Sequence, residues 1–271
     1  MAFFRQFPKV DYDFNRVGTT QQMTDIFRHV KPLPAFIDNI TAYKFYEIKN
    51  GERPDIVSNR LYGTPSFYWT FFVVNDHLHD GYRSWPMSAE QLFDYMAKEY
   101  NGYAITTDTI IRRNSDQIIT DHENSLAGRF KLGEEIVGLT SGARGTLKHK
   151  NVDMNQLIIQ DVTVAAFQGD PDAVPNVTEK IKGQTTEDFV NTYEVFAYAD
   201  APHYYYDESD GDKKPVTSAR FIAGGVSDSN LSYVSNRTHE FELNEERSKI
   251  RYVDPNYIGE FVNKYKKLIN G

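Results

Sequence analysis

The chain has 271 residues, 38 acidic and 30 basic, with a formal net charge of −8. An acidic surface of this kind has no overall attraction for nucleic acid or an anionic membrane, and no apolar run approaches the ~20 residues of a membrane span. There is no cysteine, which excludes disulfides, thiolate metal sites and cysteine catalysis and fits assembly in a reducing cytosol.

Eighteen Tyr, eighteen Phe and two Trp make 14% of the chain aromatic, so rings must supply much of the burial. The opening residues, MAFFRQFPKVDYDF, have no charged start, apolar stretch and small-residue cleavage site, so they do not read as a secretory signal. Residues 1–20 instead read as an extended arm. Its Phe3, Phe4, Phe7, Tyr12 and Phe14 are spaced by charges and Pro8, so they must pack either on their own domain or on something else.

Residues 22–31 carry a Thr-Asp start that points to a turn or short helix, ended by Pro32 and Pro34. AYKFYEI (42–48) is dense in aromatic and β-branched residues and predicts a strand, followed by a tight turn at Asn50-Gly51. Pro54 suits a helix's first turn, Asp55 complements its positive end, and Gly63 supplies a left-handed stop after Tyr62. Thr64-Pro65 opens a second helix whose Phe67, Trp69, Phe72, Val73 and Val74 make it apolar nearly all round, hence buried, until Asn75-Asp76. Ser88-Ala-Glu-Gln91 has the capping-box form and starts a third helix that reaches about Tyr100.

From about 103 to 198 the pattern turns to β, with runs such as NQLIIQDVTV broken by glycines. Within it lies an internal echo. Phe130, Glu134-Glu-Ile-Val-Gly138 and Thr140-Ser141 resemble Phe167, Glu179-Lys-Ile-Lys-Gly183 and Thr185-Thr186, which predicts a small, strongly bent barrel or sheet. Residues 200–240, with Tyr204–Tyr206 and the acidic DESDGDKK, read as long loop or irregular β. DPNYIGEFVNKYKKLI (254–269) reads as an amphipathic helix capped by Asp254, with Ile258, Phe261, Val262, Tyr265, Leu268 and Ile269 on one stripe.

No catalytic constellation is visible, and no cofactor or metal site is expected. His77, His79 and Asp80 offer two imidazoles and a carboxylate, but alternating neighbours in a loop read as a solvated turn, and registering Gly211 as a calcium-loop glycine puts Tyr206 and Thr217 where carboxylates are required. There is no phosphate loop and no Gly-x-Ser-x-Gly elbow.

The order Tyr46-x-Ile48-x-x-Gly51-Glu52, Ile56, Leu61-Tyr62-Gly63 and Asn75 resembles a LysM module, a small strand–helix–helix–strand fold that often binds N-acetylglucosamine polymers. A longer set is similar to the baseplate wedge subunit of contractile-tailed bacteriophages, which also carries a LysM-like module. That set is Met23–Arg28, Arg53-Pro54-Asp55, Tyr62-Gly63-x-Pro65-x-x-Tyr68-Trp69, Asn75-Asp76, Gly81-Tyr82, Trp85-Pro86-x-Ser88, Tyr100 and Ile258-x-x-Phe261.

The expected fold class is α+β: the resemblance implies a small LysM-like β-α-α-β module, the β-rich middle, which the resemblance does not cover, reads as an inserted small barrel-like domain, and the chain closes on a C-terminal amphipathic helix. The divisions expected are the arm (1–20), the module (21–102), the β-rich insertion (103–198), a loop-rich segment (199–244) and the terminal helix (245–271). It implies a non-catalytic clamp that joins other baseplate wedge proteins to one another and to the central hub, within a large symmetric hetero-oligomer. The chain would be assembled in the host cytoplasm and carried in the virion, with neither nucleic acid nor membrane as partner. Trp69 and Phe72 are expected in the core. Candidate interface residues are Phe3, Phe4 and Phe7 of the arm, then Tyr62, Pro65, Tyr68, Tyr82, Trp85 and Pro86, and Phe261 and Tyr265 of the terminal helix. The alternative is a carbohydrate-binding module for peptidoglycan or chitin.

Overall fold

The computed structural model describes residues 7–14, 16, 18–25, 42–107, 113–114, 117–118, 126, 128–163, 165–209, 211–216 and 230–270. They fall into two compact units, residues 1–92 with 242–271 and residues 93–241. The expected Phe3, Phe4, Pro32 and Pro34 lie outside the described residues.

In the first unit β1 (Lys9–Tyr12) and β2 (Gln21–Thr24) form an antiparallel hairpin, Lys9 opposite Thr24. The residues that carry the Thr-Asp signal therefore begin in a strand, because pairing with β1 outweighs a local cap signal; residues 26–31 lie outside the description. After β3 (Tyr43–Glu47), α1 (Pro54–Tyr62) starts on Pro54 and ends at Gly63, whose φ of 71° is the left-handed stop; its N–H reaches Asn59 O at 2.9 Å. The helix expected next is split. Thr64 caps a 3₁₀ turn over Pro65–Phe67, accepting from Ser66 N–H, and α2 (Trp69–Val74) follows. The Thr70 hydroxyl holds Phe67 O at 2.8 Å across the break, so Trp69, Thr70, Phe71 and Val74 all turn inward. α3 (Ala89–Glu99) opens on the expected capping box: Ser88 Oγ accepts from Gln91 N–H and Gln91 Oε1 from Ser88 N–H.

The second unit holds β4 (Tyr103–Thr107), the short pair β5 (Arg113–Asn114) and β6 (Gln117–Ile118), β7 (Glu135–Gly138), β8 (Arg144–Asn151), β9 (Gln156–Thr163), the hairpin β10 (Gly169–Asp170) and β11 (Val177–Thr178), β12 (Lys180–Gly183) and β13 (Phe189–Ala197). Six of them close an antiparallel barrel in the order β12-β13-β4-β9-β8-β7. Its core is aliphatic, with Ile105, Ile136, Leu147, Leu157, Ile159 and Ile181 fully buried and Phe130 and Phe167 beside them.

The internal echo is a structural repeat. β7 lies antiparallel to β12 with Ile181 opposite Gly138 and Gly183 opposite Ile136. The buried Glu134 carboxylate accepts from the N–H groups of Thr185 and Thr186 (3.0 Å each) and from the Thr186 hydroxyl, all in the turn of the other copy. The buried Glu179 carboxylate does the same for Ser141 N–H at 3.1 Å, Thr140 N–H and the Ser141 hydroxyl. Each carboxylate also takes the N–H after its own phenylalanine, Lys131 for Glu134 and Gln168 for Glu179. A Cβ on Gly138 would lie 2.5 Å from a Glu179 oxygen and one on Gly183 2.7 Å from a Glu134 oxygen, so the glycines are required for the crossing.

Of the segment expected as long loop or irregular β, the described residues include a strand pair. β14 (Pro202–Asp207) pairs antiparallel with β15 (Leu231–Ser235), placing Tyr205 opposite Tyr233. α4 (Asn236–Ser248) follows; Ser235 Oγ caps it by accepting from Thr238 N–H, and its sequence has too little apolar periodicity to advertise a helix. The chain re-enters the first unit within α4, and β16 (Lys249–Val253) pairs with β3. The terminal helix α5 (Ile258–Asn270) begins three residues past the expected position. Asp254 N–H continues the β3 ladder to Ala42 O and Lys44 holds one of its carboxylate oxygens at 2.8 Å, while the other accepts from Asn256 N–H at 2.8 Å, so Asp254 closes a turn that precedes the helix.

Candidate interaction surface

The first unit is built on rings. One cluster joins Ile48, Val57, Phe71, Leu78, Trp85 and Ile250, and a second joins Phe7, Trp69, Val253, Phe261, Val262 and Tyr265. Trp69 lies 5.0 Å from Tyr265 and 6.4 Å from Phe261, centroid to centroid. Trp85 is inserted beside Phe71 and Phe72, and its indole N–H donates to Glu52 O at 2.7 Å, which satisfies the buried polar edge of the ring. Tyr62 is part-buried, stacked 6.0 Å from Phe71 and edge-on to Phe67; burial pushes its hydroxyl well above the usual range.

The interface candidates therefore divide. Phe7, Trp85, Phe261 and Tyr265 are buried within the unit, Tyr62 and Tyr68 are part-buried, Pro86 is half-exposed, and Pro65 and Tyr82 face solvent. Trp69 is buried as expected, and Phe72 is part-buried against Tyr82 and Trp85. The structure brings Tyr68, Phe72 and Tyr82 together, with Tyr82 at 5.9 Å from Tyr68 and 5.6 Å from Phe72 and still 61% exposed. The Tyr82 hydroxyl is raised, first by partial burial and then by Tyr68 and Asp55. A half-covered aromatic cluster of this kind suits a surface that dries when a protein docks.

Sequence reasoning missed Phe45, which is 85% exposed on β3. AYKFYEI reads correctly as a strand, but its aromatic residues, Tyr43, Phe45 and Tyr46, fall on both faces of a period-two pattern and Lys44 and Glu47 do likewise, so no apolar face stands out.

No group of three or more metal-ligating side chains occurs among the described residues. His77 is part-buried with its Nε2 unpartnered, and burial lowers its pKa, which keeps it neutral; His79 is exposed beside Asp76 O and Asp80. In the acidic loop, Asp207 is engaged by Ser209 N–H and Oγ, and Asp212 by Lys214. Among the described residues no helix is long and apolar enough to cross a membrane.

Residues 1–117 match a family described as base plate wedge protein 53. The chain is also similar to the baseplate wedge protein gp53 of Enterobacteria phage T4, 32% identical over 102 residues, which is 36% of this chain and 50% of the relative. The chain thus spans about half the length of that relative. The resemblance to baseplate wedge subunits read from the sequence is borne out over the matched residues, which include the whole strand–helix–helix segment from β3 to α3.

Proposed function

We propose that the chain is a non-catalytic structural subunit of a phage tail baseplate, clamping wedge proteins to one another and to the central hub. The observation that carries this reading is the family match over residues 1–117, which coincides with the segment bearing the half-covered cluster of Tyr68, Phe72 and Tyr82. The partners are other baseplate proteins in a large symmetric hetero-oligomer, built in the host cytoplasm and carried in the virion tail.

We further read β3, α1, α2 and β16 as a LysM-like module. The strand–helix–helix–strand order supports it, with the closing strand drawn from residues 249–253 rather than from directly after the helices. Within this reading 21–102 is the wedge module, 1–20 its arm, 103–198 the β-rich insertion, 199–244 a connecting segment and 245–271 the terminal element.

The test is co-purification of the full chain with each co-encoded baseplate protein, followed by titration of the pairs that form. Tyr82→Ala should weaken at least one pair by about tenfold or more, as loss of an interface anchor does. No affinity for any of these proteins would overturn the reading, and calorimetric heat with chitooligosaccharides would favour a sugar-binding module instead.

A further inference from the structure

The two outer edges of the β3–β16 sheet are treated differently. Ile48 N–H bonds Ser248 O and Asp254 N–H bonds Ala42 O, so the even-numbered residues of β3 face β16. By alternation, the N–H and C=O groups of Tyr43, Phe45 and Glu47 point away from it, as do those of Arg251 on β16. The β16 edge is closed: the buried Asn75 amide donates to Arg251 O at 2.8 Å and accepts from Arg251 N–H at 2.9 Å, a side chain imitating a neighbouring strand. Among the described residues none pairs with the β3 edge.

The side chains leave it bare as well. Phe45 is 85% exposed, and Arg251 opposite it is drawn off over the Tyr43 ring and onto Val74 O. Lys44, the kind of residue that normally protects an edge, is tied to Asp254.

We propose that the β3 edge is a self-association site, where β3 of one copy pairs antiparallel with β3 of a second copy about a two-fold axis at Phe45. The occupant follows from the register. The outward residues 43, 45 and 47 are symmetric about Phe45, so the pairing satisfies every outward N–H and C=O of both strands. It sets Phe45 against Phe45 as a cross-strand aromatic pair, Tyr43 against Glu47, and Lys44 against Tyr46, with no like charges opposed. In-register parallel pairing would oppose Lys44 to Lys44 and Glu47 to Glu47. The result is one continuous sheet, β16-β3-β3-β16, across two copies.

Sedimentation equilibrium of the full chain over a concentration series, with amide hydrogen exchange at its two ends, tests this. The expected result is a reversible monomer–dimer equilibrium in which the amides of Tyr43, Phe45 and Glu47 become protected at high concentration, while those of Lys44 and Tyr46 are protected throughout. Phe45→Pro removes an outward donor that the β3–β16 ladder does not use, and Phe45→Glu opposes two charges. Either should weaken the dimer by about tenfold or more with thermal unfolding unchanged, and Phe45→Glu suffices if the proline disturbs the strand. A wild-type chain that stays monomeric at every concentration overturns the proposal, including the case where another protein's strand takes the edge. So does a dimer that survives Phe45→Glu and leaves the outward amides fast. The measurement uses the chain alone, so neither outcome bears on the baseplate reading.

Discussion

The two units solve the same problem with different residues. The first unit buries Trp69, Phe71, Trp85, Phe261 and Tyr265 around short helices and a two-stranded sheet. The barrel buries Ile, Leu and Val, with Phe130 and Phe167 as the rings of its core. A small assembly of short elements has little interior, so each side chain must cover much area, and large rings do so. A closed barrel repeats one pleated surface around an axis, where branched aliphatics fit, and its difficulty moves to the turns that cross at each end. There the polar pair Glu134 and Glu179 takes over. The first unit's specificity therefore resides in ring packing, and the barrel's in hydrogen bonding.

This contrast has measurable consequences, and both tryptophans, Trp69 and Trp85, lie in the first unit, so their emission reports on it alone. The largest effect is expected for Phe71→Ala. Phe71 is fully buried between Tyr62 and Trp85, and emptying such a site costs about 3–5 kcal/mol. Chemical denaturation followed by tryptophan emission should show the midpoint falling accordingly. Next come Glu134→Ala and Glu179→Ala, each stranding several buried donors at a cost of about 2–4 kcal/mol in the barrel. Hydrogen exchange of β7 and β12 amides should detect it with the tryptophan signal unmoved. Equal losses in the two variants are the signature of a working repeat; a large loss in one and none in the other would reduce the symmetry to geometry.

How far the sequence revealed this division depended on the kind of signal. Pro54, Gly63, Thr64 and the Ser88–Gln91 box are local backbone devices, and each was legible because its effect is confined to one turn. The echo between Glu134–Gly138 and Glu179–Gly183 was visible as a pattern. That each carboxylate closes the other copy's turn was not, since that contact spans 38 to 52 residues of chain. β16 was hidden for the same reason, because KIRYV becomes a strand by pairing with residues some two hundred positions earlier. Of the interface candidates, Trp85 and Tyr265 had the composition of docking residues but are buried in their own unit. Phe45, which the strand pattern did not single out, is exposed.

Asn75 sharpens the comparison from the other side, as a polar residue carrying weight in the aromatic unit. Its amide donates to Phe71 O and Arg251 O and accepts from Arg251 N–H, tying α2 to β16. Asn75→Ala should destabilise the first unit by about 2 kcal/mol, read by the tryptophan midpoint. It should also speed exchange of the Arg251 amide more than that of Ile250, whose N–H faces β3.

The smallest effect expected belongs to a carboxylate that works against the barrel. Glu194 on β13 is half-buried, and desolvation, followed by repulsion from Asp172 and Asp170, raises its pKa from 4.5 to about 6. A carboxyl with a raised folded pKa binds its proton more tightly in the folded chain. Its contribution is therefore fully present below about pH 4.5 and is lost as the pH rises through about 6. At neutral pH the charged form is a penalty, and with solvent screening at a half-exposed site it amounts to about 1 kcal/mol. Glu194→Gln should stabilise the barrel by that amount at pH 7 and leave it unchanged at pH 4, so the two unfolding curves converge on acidification. Glu194 thus separates a carboxylate tolerated by the barrel from the two that hold it closed.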